Sequence, residues 1–156
     1  MSKSLAQLVA EHGHTLPATR PPVANYLSTT RAGNLLFIAG QIAQRDGEPA
    51  GIGRLGAALS VAEGREAAAL AALGLLAQID AVVEGDAGRV KRILRLGVFI
   101  AAEPSFDEHS QVANGASDLL VAIFGDIGRH ARTAVGVSSL PAGVAVEIDA
   151  IVELVG

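Results

Sequence analysis

The 156-residue chain contains no cysteine and no tryptophan, and only one tyrosine and four phenylalanines. Without cysteine, disulfides, thiolate metal sites and a thiol nucleophile are excluded, which fits a reducing compartment such as the cytoplasm. With so few aromatics, the core must be assembled from Ala, Leu, Val and Ile. Charge is sparse as well: 18% of residues are Asp, Glu, Lys or Arg, and the net charge is −4. There is no basic tail, and the one basic cluster (Arg89, Lys91, Arg92, Arg95) stands at the start of an apolar strand. It reads as a solvated strand end, which argues against a nucleic-acid partner. No signal-peptide hydrophobic region opens the chain, and the apolar runs 67–79 and 133–146 are too short to cross a bilayer, so no membrane partner is expected. No Gly-x-Ser-x-Gly elbow is present.

What is present suits one domain with a usable core, half of its residues being apolar. Ser4 with Gln7 forms a capping-box pattern ahead of Leu5, Leu8 and Val9, a short helix that Gly13 would stop. The segment TLPATRPPV reads as an extended linker, because each proline disfavours helix in its predecessor. Segments 26–31 and 35–42 read as a hairpin around Ala32-Gly33-Asn34. After the polar turn AQRDGEPAG, Ser60 and Glu63 cap a long Ala/Leu helix running to about Val83. A strand over 89–101 follows, and then a third capping pattern, Ser105 with Glu108, opens a helix that Gly125 ends. The closing stretch HARTAVGVSSLPAGVAVEIDAIVEL reads as a second hairpin around Leu140-Pro141-Ala142-Gly143.

The order β-β-α-β-α-β-β predicts an α+β fold of split βαβ type. A short N-terminal helix and Pro-rich linker (1–21) precede a single domain (22–156). Right-handed crossovers put both main helices on one face of the sheet and leave the other without cover. Yet LLFIAG is apolar at every position, as in a strand buried on both sides. That mismatch predicts an oligomer whose sheets pack against one another.

Two charges stand out in the last hairpin. With a two-residue loop at Pro141-Ala142, Gly136 faces Glu147 and Arg132 faces Ile151. Alternation then puts Arg132 and Glu147 together on the face away from the helices, roughly 13 Å apart. They either serve subunit contacts or flank a small ligand, with Gly136 leaving room between them.

The run RTAVGVSSLP followed by VAVEIDAIV resembles the C-terminal signature of the RidA (YjgF-like) family of reactive-intermediate imine deaminases. NYLSTTRAGNLLFIAGQI resembles the first hairpin of that family, and VANGASDLLVAIFG resembles its second helix. The likeness spans roughly residues 22–155. The N-terminal helix and the NGASDLL and GRHAR wording resemble a longer branch labelled "putative endoribonuclease". The resemblance implies a chorismate-mutase-like homotrimer with sheets inward, helices outside and ligand clefts between subunits. It implies hydrolysis of small enamines or imines of the 2-aminoacrylate type to 2-oxo acids and ammonia, without cofactor or metal. In that scheme Arg132 clamps the substrate carboxylate and Glu147 holds or activates the water. Tyr26 closes the cleft or donates a hydrogen bond, Gly40 lies at its wall, and Asn114 is nearby. Ala134 stands where many members carry a cysteine, so a mechanism that needs a thiol is excluded. The alternatives are a trimeric binding protein for a small carboxylate metabolite and, more weakly, an endoribonuclease.

Other patterns read more simply. GIGRLG (51–56) fits Gly-x-Gly-x-x-Gly but lacks a preceding strand and an immediately following helix, and it reads as a flexible loop. His12 and His14 lack a third ligand and read as a solvent-facing pair. His109 and His130 are far apart in sequence; His130, next to the Arg132 strand, either lines the cleft or is a helix-to-strand linker residue that needs no function.

Overall fold

The computed structural model describes residues 3–156. In chain order the elements are helix α1 (Leu5–Glu11), strands β1 (Thr29–Ala32), β2 (Leu35–Ile42), β3 (Gln44–Arg45) and β4 (Glu48–Pro49), helix α2 (Val61–Val83), strand β5 (Val90–Ala101), helix α3 (His109–Phe124), and strands β6 (Ala131–Val137) and β7 (Val146–Leu154). Short 3₁₀ turns fall at Ala87–Arg89, Gly125–Gly128 and Pro141–Gly143. The fold is α+β, as the sequence predicts.

The main sheet has the order β1-β2-β7-β5-β6. β5 and β6 are parallel neighbours joined through α3, while β7 runs antiparallel to both β2 and β5. β2, α2 and β5 thus make a βαβ unit split by β7. This corrects the predicted closing hairpin, since β6 and β7 never pair. The side chains explain why. Val146, Ile148, Ala150, Val152 and Leu154 are almost completely buried, the inward series of a central strand, whereas Ala131, Thr133, Val135 and Gly136 of β6 are exposed, as suits an edge. The chain passes from β6 to β7 across the end of β5, where Ala102 N–H donates to the Val137 carbonyl (3.1 Å) and Ala101 N–H to that of Ala145 (2.8 Å). The GIGRLG loop is tied down in the same place, with Ala145 N–H donating to the Gly51 carbonyl (2.7 Å) and Gly53 N–H to that of Gly143 (3.0 Å). It is a loop, but a hydrogen-bonded one.

Both main helices cover one face. The Ala-rich side of α2 (Ala67, Ala68, Ala71, Ala72) is buried together with Leu75, Leu76 and Ile79. By length and composition α2 could cross a membrane; here it is a buried core helix. The capping boxes at Ser4 and Ser60 form in full, with side chain and backbone bonded reciprocally. The third does not: the N-cap of α3 is Glu108, without a side-chain cap bond. What locates α3 is its packing on α2, where a Cβ at Gly115 would lie 2.1 Å from the Arg65 carbonyl oxygen. The opposite face of the sheet carries Leu35, Phe37, Phe99, Val135 and Ile151, and the described residues do not cover it; Phe37 and Val135 are 40% and 41% exposed.

Candidate active site

The candidate residues gather into two groups rather than one. The first lies between α3 and edge strand β6. Arg132 aligns with Leu96 of β5, whose side chain is fully buried on the helix side. Parallel neighbours share a face, so Arg132 points toward α3. This overturns the expectation that it shares the open face with Glu147, which rested on the hairpin that does not form. Arg132 Nη1 donates to Asn114 Oδ1 (2.9 Å) and Ser117 Oγ (3.1 Å), and Nη2 reaches the Ser110 carbonyl (3.4 Å). Residues 110, 114 and 117 follow helical spacing and form one stripe. That spacing was the available signal for Ser110 and Ser117, which the sequence reading missed. Ala134 lies on the same side of β6, half-buried against the core. His130 joins the group through Ser117 Oγ (2.8 Å from Nε2) and the Gly128 carbonyl (2.7 Å from Nδ1). Burial, chiefly, holds its pKa below the ordinary histidine value, with Arg132 acting in the same direction and the Gly128 bond opposing. Beside these residues opens a groove of about 570 Å³ lined also by Asp118, Val121 and Arg129.

The second group lies at β2. The β2–β7 register slips between Ile38 and Gln41, placing a bulge at Ala39-Gly40. Glu147 rises from β7 into the gap: a Cβ at Gly40 would sit 2.8 Å from its Oε1 and 2.9 Å from Cδ. Any larger residue there would displace the carboxylate. Glu147 Oε2 is buried without a hydrogen-bond partner among the described residues. Burial, and then the neighbouring charge of Asp149, raise its pKa above the ordinary carboxylate value. A cavity of about 400 Å³ opens here, lined by Glu147, Gly40, Tyr26, Gln41 and Gln78 together with the Pro-rich linker 17–23. Tyr26 precedes β1 instead of opening it, and its side chain is exposed at the cavity rim. The part played by the linker and by Gln78 was not visible in the sequence.

A family model described as "YjgF/chorismate_mutase-like, putative endoribonuclease" matches residues 5–153. The chain belongs to this family. Protein TCP17 of Trypanosoma cruzi is 50% identical over 143 residues, 91% of this chain and 89% of that protein. A crystal structure of a protein of unknown function from Agrobacterium tumefaciens is 42% identical with a TM-score of 0.91, covering 98% of this chain and 94% of that one. Another, of a "putative endoribonuclease" from Shewanella oneidensis MR-1, is 32% identical with a TM-score of 0.92, covering 97% and 100%. The YjgF-family fold therefore frames both groups.

Within one chain the two groups face different sides of the sheet. Arg132 and Glu147 are separated by β5, two strand spacings across and three residues along, roughly 14 Å between Cα atoms. A guanidinium fixed by three acceptors suits a planar carboxylate. A partly desolvated carboxyl of raised pKa suits proton transfer. Among the described residues no three His, Cys, Asp or Glu side chains converge as a metal site would require. His12 Nδ1 hydrogen-bonds to the Leu8 carbonyl at 2.9 Å.

Proposed function

We propose that this YjgF-family chain hydrolyses small 2-imino or enamine acids to 2-oxo acids and ammonia, in clefts completed between subunits of a homotrimer. The observation that carries the proposal is the division of the site into two unfinished halves on opposite faces of one sheet. A second copy, docked through the uncovered apolar face and edge β6, supplies the missing half. The same docking buries Phe37, Phe99, Val135 and Ile151, which otherwise form an exposed apolar patch.

In the assembled cleft, Arg132 with Asn114 binds the substrate carboxylate, and Glu147 from the neighbouring copy, backed by Gly40, orients a water. The enamine first takes a proton at carbon to become the imine. Water oxygen then bonds to the imine carbon while Glu147 accepts its proton. That proton passes to nitrogen to give the carbinolamine, whose hydroxyl proton then follows by way of Glu147 as the C–N bond breaks, so that ammonia leaves and the carbonyl of the 2-oxo acid forms. No step needs a thiol, consistent with Ala134. Tyr26 covers the cleft.

The test is a coupled assay of 2-oxo acid release from enzymatically generated 2-aminoacrylate. Wild type should accelerate release, and Arg132→Ala should lose about 10- to 150-fold in kcat/KM, since a hydrogen-bonded charge pair is worth about 1.5–3 kcal/mol. Absence of acceleration by wild type would overturn the proposal. Ligand-induced thermal stabilisation without ammonia release would indicate a binding protein instead. The endoribonuclease description of the family has less support in the charge distribution. Lys91 and Arg95 pair with Glu153 and Asp149, Arg89 lies 4.0 Å from Glu84, and Arg92 bonds a backbone carbonyl.

A further inference from the structure

The bonds behind Arg132 carry a consequence for how the carboxylate clamp is set. A backbone carbonyl only accepts, so the 2.7 Å contact with Gly128 places the proton of neutral His130 on Nδ1. Nε2 is then an acceptor, and its donor among the described residues is the Ser117 hydroxyl at 2.8 Å. With its proton turned to His130, Ser117 Oγ presents a lone pair to Arg132 Nη1, 3.1 Å away. Asn114 Oδ1 holds the same Nη1 from one turn earlier on α3.

We propose that Ser117 and His130 are positioning residues for Arg132, setting the guanidinium for carboxylate binding while His130 is neutral and releasing it when His130 is protonated. This rests on the reading of Arg132 as the carboxylate clamp. Protonation makes Nε2 a donor aimed at Ser117 Oγ. The hydroxyl must then turn its proton elsewhere, and two cations converge on one oxygen and repel each other across it. The coupling is reciprocal: Arg132 disfavours charged His130, so charged His130 must disfavour this placement of Arg132. Other charges around the groove do not supply an alternative partner. On α3, Asp118 is bonded to Arg65 (3.1 Å); in the preceding turn, Arg129 is bonded to Asp126 (3.3 Å); from β5, Arg92 donates to the Arg129 carbonyl (3.3 Å). His109 faces the same side of β6, its Nε2 2.6 Å from where a Cβ on Gly136 would lie; among the described residues His130 is thus the one titrating group bonded directly to the relay behind the guanidinium.

Calorimetric binding of 2-oxobutanoate between pH 8 and pH 5 tests this, on full-length wild type, Ser117→Ala, His130→Gln and Arg132→Ala. Wild-type affinity should fall several-fold as pH drops through the depressed His130 value. Glutamine keeps a carbonyl able to accept from Ser117 but does not titrate, so His130→Gln should lose the pH dependence. Ser117→Ala should bind weakly at every pH. In parallel, the NMR titration of the His130 ring should move to higher pH in Arg132→Ala. Identical pH profiles for wild type and His130→Gln would overturn the proposal. So would tighter binding on acidification, which would show that added positive charge outweighs the lost acceptor. Full binding by Arg132→Ala would instead overturn the clamp reading itself, so the two failures are distinguishable.

Discussion

Glu147→Gln should make the protein more stable and less active at once. Glu147 Oε2 is buried without a partner among the described residues, and the carboxyl is held above its ordinary pKa by burial and by Asp149. Leaving a buried acceptor unpaired costs about 1–3 kcal/mol, and more when it is charged. The amide keeps the shape and the unpaired atom but drops the charge. For this half-buried side chain the gain should be roughly 1 kcal/mol at neutral pH, a rise of about 2–4 °C in Tm for a domain of this size. The pH dependence fixes the sign. A carboxyl whose folded pKa is raised stabilises the fold below its unfolded value, and that contribution is lost as pH rises through the folded value. The advantage of glutamine should therefore vanish in acid, where both side chains are neutral, and grow toward neutral pH. Thermal denaturation of both proteins from pH 4 to pH 8 measures it, beside the deaminase assay, in which removing a general base should cost about 10²–10⁴-fold. A Glu147→Gln variant that melts below wild type at pH 7 would refute the reasoning, because it would mean that a donor from a second copy already satisfies the carboxylate.

Other perturbations separate the parts of the argument. Gly40→Ala places a methyl 2.8 Å from Glu147 Oε1. The end of a flexible side chain gives way, so stability should fall by only about 1 kcal/mol, while displacement of the carboxylate should cost about 10–100-fold in kcat/KM; unchanged turnover would remove Glu147 from the reaction. Phe37→Asp charges the uncovered face and should leave a monomer by light scattering where wild type forms the proposed oligomer, with loss of turnover in the coupled assay. An oligomer that persists would place the interface elsewhere. Ser60→Ala removes the cap of α2 and should lower stability by about 1 kcal/mol without changing turnover; an unchanged melting curve would show that packing alone fixes that terminus.

The elements were legible in the sequence because their signals are local. Ser60 with Glu63 forms both reciprocal bonds, and Gly125 follows the last residue of α3. The faces of β7 follow from its alternation, with Val146, Ile148, Ala150, Val152 and Leu154 inward and Glu147 outward. The position of β6 was not legible, because strand order is set by competition among distant partners for the centre of the sheet. A turn at Pro141–Gly143 looks the same whether the next strand folds back on its neighbour or crosses the end of β5. The error propagated in a definite way. Pairing Arg132 with Ile151 put it on the face of Glu147; pairing it with Leu96 puts it under α3.

That reversal changes what the two charges imply. On one face, separated by a glycine, Arg132 and Glu147 could have flanked a ligand inside a single chain, and assembly would have been incidental to the chemistry. On opposite faces, with β5 between them, neither can reach a molecule held by the other. The guanidinium sits at an edge strand and the carboxyl in a bulge beside β1, both positions a neighbouring copy can approach. If these residues act on one substrate, association is a condition of the reaction, and specific activity should fall on dilution together with the mass measured by light scattering. Activity that stays constant per chain after the oligomer has dissociated would refute the shared cleft even if each residue proved essential on its own.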